Sequence, residues 1–151
     1  MMLTALLAMS VIAFSATAQS KADEPIRACD VTEPIRAEPP RDPNADPFGS
    51  GPWYVNADRT IWAGWDAVRM GAGEKGNKVL WIRPQGSQLT VSGRRLDADA
   101  ASMKARIPCC YPTGFQASGL FFPTAGCWEI TAKAGKSELR FVTRVSPEGR
   151  R

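Results

Sequence analysis

Near its C-terminal end the chain alternates apolar and polar side chains almost without interruption. Trp128, Ile130 and Ala132 fall on one face, and Glu129, Thr131 and Lys133 on the other. After Ala134-Gly135-Lys136-Ser137 the pattern resumes, with Leu139, Phe141, Thr143 and Val145 set against Arg140 and Arg144. A period of two sends alternate side chains to opposite faces of a strand, so each segment has one buried and one wet face. Two such segments joined by a short link make a hairpin.

The same grammar runs back through the chain. Trp53-Tyr54-Val55 and Thr60 to Trp65 flank the turn-like Asn56-Ala57-Asp58-Arg59 and read as a first hairpin. Gly71 to Asn77 is a glycine-rich loop. Lys78 to Arg83 is a nearly continuous apolar strand that stops at Pro84. Leu89 and Val91 alternate with Gln88, Thr90 and Ser92, and Gly114 to Phe122 is a further strand candidate ended by Pro123. Residues 97–105 carry alanines and are read as a short helix. The 12 Pro and 13 Gly favour many turns over long helices. About seven strands at this spacing predict an all-β, antiparallel β-sandwich over residues 53–146, followed by a basic tail at 147–151.

The stretch before it differs in kind. Residues 19–52 hold Pro25, Pro34, Pro39, Pro40, Pro43, Pro47 and Pro52, with many acidic groups and few aromatics. Proline fixes φ and lacks an N–H donor, so this block is expected to be an extended, proline-rich N-terminal arm draped over the domain, neither helix nor central strand. Residues 1–18 carry no charge, run apolar from Leu3 to Phe14, and end in Ala16-Thr17-Ala18. They predict a secretory signal peptide with Gln19 as the first mature residue. A retained membrane anchor is the other reading of the same run. Export, to the periplasm or outside the cell, follows from the first reading. An even count of four cysteines in an exported chain then favours disulfides, with three full pairings open.

Composition excludes several activities. There is no His, which removes Ser–His–Asp and Cys–His nucleophilic sites and the commonest zinc and copper ligand. No phosphate-binding glycine loop, metal-ligand spacing or RNA-binding aromatic motif is present, so no cofactor, metal or nucleic-acid partner is expected. Charge is uneven: residues 19–77 carry 7 basic against 10 acidic groups, and residues 78–151 carry 12 against 5. An acidic arm against a basic body is a weak, salt-sensitive attraction.

Gly114-Phe115-Gln116-Ala117-Ser118-Gly119 and Phe122-Pro123-Thr124-Ala125-Gly126-Cys127-Trp128-Glu129 form a signature. With Leu89 to Asp97 upstream, and Cys29-Asp30-Val31-Thr32 in the arm, the mature chain resembles a group of uncharacterised exported bacterial proteins with an immunoglobulin-like β-sandwich. The resemblance implies export and that fold, and it implies no reaction. It also implies that Cys29 and Cys127 are the bonded pair. Such a bridge would tie down an arm with little apolar surface of its own, and Cys127 falls on the outward face, opposite Trp128 and Ile130. The chain departs from the group at Cys109-Cys110-Tyr111, so the extra cysteine pair inherits no role.

The remaining candidates are weighed residue by residue. Cys109 and Cys110 are a possible redox pair, since adjacent cysteines bridge only through a strained ring. Trp62 and Trp65 are three apart and face opposite ways in a strand, so one is expected at the surface, beside Trp53 or Tyr54, where a ring can stack on sugar or pack on a partner. Trp81 and Trp128 are expected in the core. Arg94, Arg95, Lys133, Arg140 and Arg144 suggest a basic outer face. Asp97, Asp99 and Glu129 are read as surface charges rather than catalytic acids. The expectation is a non-enzymatic module binding a saccharide or protein surface of the cell envelope, with Tyr54, Trp62, Trp65, Arg140 and Arg144 as candidate contacts. The alternative is a thiol–disulfide redox protein working through Cys109 and Cys110.

Overall fold

A computed structural model describes residues 29–41, 49–109 and 111–147. The expected signal peptide at 1–18, the arm before Cys29, Cys110 and the end of the basic tail lie outside the described residues. Among the described residues nine strands form two antiparallel sheets. The larger has the order β1 (Ile35–Ala37), β2 (Gly51–Val55), β3 (Trp62–Trp65), β4 (Asn77–Ile82), β7 (Phe115–Phe121), β6 (Lys104–Arg106). The smaller has the order β5 (Leu89–Arg95), β8 (Gly126–Ala134), β9 (Ser137–Val145). The chain is an all-β sandwich. The two strands beyond the expected seven are β1 and β6, each of three residues, too short for an alternation to be read. No helix forms over 97–105, because its alanines offer no apolar stripe; Met103 alone enters the core and β6 follows it.

The hairpin at the C-terminal end is the longest pairing, running from Gly126 opposite Val145 to Ala134 opposite Ser137. Its turn places Gly135 at φ 60°, the first central position of a primed turn, where the missing Cβ matters. Trp128, Ile130, Leu139 and Phe141 point inward as their spacing predicts, and so does Trp81 from the opposing sheet. Strand β4 reads as continuously apolar because both its faces are covered. Val79 and Trp81 enter the core between the sheets, while Leu80 joins Trp53 and Trp62 in a second cluster on the outer side of the larger sheet. Full burial of each such side chain is worth about 1.5–3 kcal/mol. The polar residues of the Gly114–Gly119 signature serve this core. Ser118 accepts the indole N–H of Trp81 at 2.8 Å, and Gln116 is buried beside it on the same strand face.

The arm is more ordered than an unpaired drape. Cys29 and Cys127 are joined by a disulfide with Cα atoms 5.5 Å apart, 98 residues apart in sequence. Cys127 does lie on the outward side of β8, yet it is only 2 % exposed. Thr32 then meets the open edge of β9: its N–H donates to Val142 O at 2.9 Å, and its hydroxyl accepts the Val142 N–H at 2.9 Å. Three residues later, at Ile35, the chain becomes β1 and pairs with β2 of the other sheet. One extended segment thus spans the two sheets along their β2 and β9 edges, and Tyr54 stacks on Phe141 beneath it with ring centroids 4.1 Å apart. On the opposite long side β5 pairs only with β8, and β6 only with β7.

Candidate functional site

Trp65 ends β3 in register with Val79, whose side chain lies in the core. Strand parity would send the Trp65 ring inward as well. Instead its backbone turns to φ 60°, ψ −122°, and the ring emerges 47 % exposed. A non-glycine residue in this region costs about 1–3 kcal/mol. The bend is held by the next residue: Asp66 accepts the Lys78 backbone N–H at 2.8 Å. The Lys78 ammonium sits 4.9 Å from the centroid of the Trp65 ring.

A row of side chains continues across the outer face from there. Lys78 is registered opposite Gly119, and Gly119 opposite Arg106. The ring of Phe121 lies over Gly76 and Gly119, where any Cβ would collide with it, and the Arg106 guanidinium stands 5.5 Å from its centroid. Two rings, each accompanied by a cation, therefore flank Gly119 of β7 and Gly76, the residue before β4. Phe121 and Arg106 also border an open groove of about 690 Å³ toward Ser102 and Pro123.

The other aromatic candidates are not at the surface. Tyr54 is 3 % exposed and stacked on Phe141; its hydroxyl bonds Thr143, and burial pushes its pKa up. Trp62 is 2 % exposed, edge-on to Trp53, with its indole N–H given to Arg59 O. Both rings fill core, so neither is open to a ligand. Of the two tryptophans three apart, Trp65 is the outward one, through a backbone reversal rather than through alternation alone.

The basic face is largely neutralised. Glu138 receives both Lys133 and Arg140, which hold its carboxyl below the usual range, and Arg94 pairs with Glu129 at 2.8 Å. Arg144 is exposed and bonds no acidic group among the described residues. Arg95 is not part of that face. It bonds Asp97 and lies over Gly126, whose φ of 142° and lack of a Cβ leave room for it. Asp97 also accepts the Cys127 backbone N–H at 3.1 Å, and its pKa falls, chiefly because Arg95 bonds it. Asp97 is thus a structural clamp beside the disulfide. Cys109 is disulfide-bonded, and Cys110 lies outside the described residues. Among the described residues no three acidic or cysteine side chains gather closely enough to hold a metal, and no helix is long and apolar enough to cross a membrane.

One grouping escaped the sequence reading. Arg83 follows Val79 and Trp81 on the inward side of the larger sheet and is 5 % exposed. It lines a cavity of about 650 Å³ between β5 and Ala105, Ile107, Pro108, Cys109 and Tyr111. The signal was an arginine at the end of a run buried on both faces, where the next inward position belongs to the core. No family model, no curated protein and no solved structure matches this chain.

Proposed function

We propose that the protein is an exported, non-enzymatic β-sandwich module of the immunoglobulin-like kind, secreted or periplasmic, that binds an acidic saccharide of the cell envelope on the outer face of its larger sheet. The observation that carries this reading is Trp65. A strained backbone turns a large ring out of the core and into solvent, and strain of that kind persists where the exposed group is used. An exposed indole offers a flat apolar surface to the C–H face of a sugar. Lys78 and Arg106 place cations at the same face, where carboxylate or sulfate substituents of the sugar would sit. The Cys29–Cys127 disulfide fits an oxidising compartment outside the cytoplasm.

Tryptophan-fluorescence titrations with polygalacturonate, a heparin oligosaccharide and neutral chitohexaose test the reading. One of the acidic ligands is expected to bind, to weaken with salt, and to lose about tenfold or more in affinity in Trp65→Ala, in keeping with the loss of a stacked ring and its cation contact. Trp65→Ala binding as tightly as the parent, or no acidic glycan binding at low salt, would overturn the assignment.

A further inference from the structure

We infer that the cavity beside Arg83 is a second binding site, separate from the Trp65 face, and that it takes a small amphipathic carboxylate. A guanidinium between two packed sheets must be paired, hydrogen-bonded or neutralised by a ligand, because a buried charge left alone is costly. Among the described residues Arg83 has only neutral partners. Its Nε donates to Gln116 Oε1 at 2.7 Å, Nη1 to Pro84 O at 3.1 Å and Nη2 to Tyr111 O at 3.2 Å. Gln116 is held in turn by donating to Pro108 O at 2.6 Å. No ion pair among the described residues involves Arg83.

A guanidinium has five N–H groups, and these three bonds use one on each nitrogen. One N–H on each terminal nitrogen remains for an incoming carboxylate. The cavity around it supplies the rest. Arg83 is the one formally charged side chain in its described lining, and no acidic residue is there to compete with an incoming anion. About 650 Å³ lies within the range of small-molecule sites, and the wall exposes more polar than apolar surface, with Leu89, Val91 and Ile107 as its apolar part. Burial also lowers the Arg83 pKa. The Gln116 and carbonyl contacts fix the guanidinium before a ligand arrives, so little orientation entropy is left to lose on binding.

Octanoate, octanol and a short peptide ending in leucine, with its C-terminus free or amidated, are the probes. Binding is read from amide chemical shifts in the 15N-labelled protein. Octanoate or the free-acid peptide is expected to shift Val91, Ile107 and Gln116 saturably, about tenfold or more tighter than octanol or the amide, as one charge-assisted contact requires. Preference for octanoate names a free acid as the ligand class, and preference for the peptide names a polypeptide C-terminus. Arg83→Gln is expected to abolish the difference between acid and alcohol. Val91→Phe, which leaves Arg83 in place, is expected to block all the probes and serves if Arg83→Gln does not fold. Equal binding of octanoate and octanol, or no saturable shift with either acid at millimolar concentration, overturns the inference. The Trp65 face stands or falls separately, since none of these probes depends on it.

Discussion

The two long sides of the sandwich are built differently. Along β2 and β9 the arm crosses from one sheet to the other, with a disulfide at Cys127, backbone bonds at Val142 and strand pairing at Trp53. Beneath it, Tyr54 and Phe141 stack directly. Along β5 and β6 the crossing is the β5–β6 connection itself, which sends Met103 into the core, and beyond it the sheets part around Arg83 into a cavity. The arm has few apolar side chains to bury, so it is fixed by covalent and hydrogen bonds. That leaves the apolar side chains of the hairpins to fill the centre, and leaves the β5–β6 side open. Closure on one side permits an opening on the other without loss of the fold, because the closed side already limits how far the sheets can separate.

The largest break in this comparison is removal of the clasp. Cys29→Ala with Cys127→Ala opens a loop of 98 residues. The chain-entropy treatment of such a loop gives about 4–5 kcal/mol of lost stability. Urea unfolding measures it. The amides of β1 and Val142 are expected to lose protection from hydrogen exchange first, while those around Arg83 follow only global unfolding. A loss confined to the β5–β6 side would mean that the closed side is held by something other than the arm.

What could be read from the sequence follows the same division. The hairpin of β8 and β9 was legible because each of its faces meets a different solvent, and its inward residues are those the alternation names. The disulfide was expected from the resemblance read into the Cys29 and Cys127 segments, with the outward face of Cys127 in agreement, while count alone left three pairings open. The β1 strand was not legible, because three residues flanked by prolines carry no periodicity and take their structure from the edge of β2. Trp65 was half legible: its separation from Trp62 announced that one ring would be outside, but the positive φ that puts it there belongs to the turn. Arg83 was half legible: it stands two residues after Trp81, at the next inward position, but nothing in the apolar run before it says that a charge placed there stays buried.

Asp97 lies where the open side meets the closed one, joining the end of β5 to the backbone of Cys127. Its carboxylate also bonds Arg95 at 2.6 Å. Because its folded pKa lies below the unfolded value of about 3.9, it adds stability that is fully present above about pH 4. That contribution is lost as pH falls through the depressed folded value. Asp97→Asn is therefore expected to be less stable than the parent at neutral pH by about 1–3 kcal/mol, the range for hydrogen bonds to a charged group. The gap between the two proteins should narrow as both are acidified below about pH 4. A constant gap in urea titrations across that range would show that the carboxylate contributes by shape and not by charge.

The smallest expected effect sharpens the comparison most finely. Thr32→Val removes the hydroxyl that accepts the Val142 N–H, but keeps the backbone bond from Thr32 N to Val142 O. This edge is open to water, which can replace the lost acceptor, so the cost is about 0.5–1.5 kcal/mol or less. Hydrogen exchange resolves what global unfolding blurs. The Val142 amide is expected to exchange faster in Thr32→Val, while the β8 amides paired inside the sheet keep the parent's rate. In the parent, Val142 should exchange more slowly than the unpaired edge amides of β5, because one edge has the arm against it and the other has none. Equal protection on the two edges would show that the arm, though bonded through Cys29, does not close the side along which it runs.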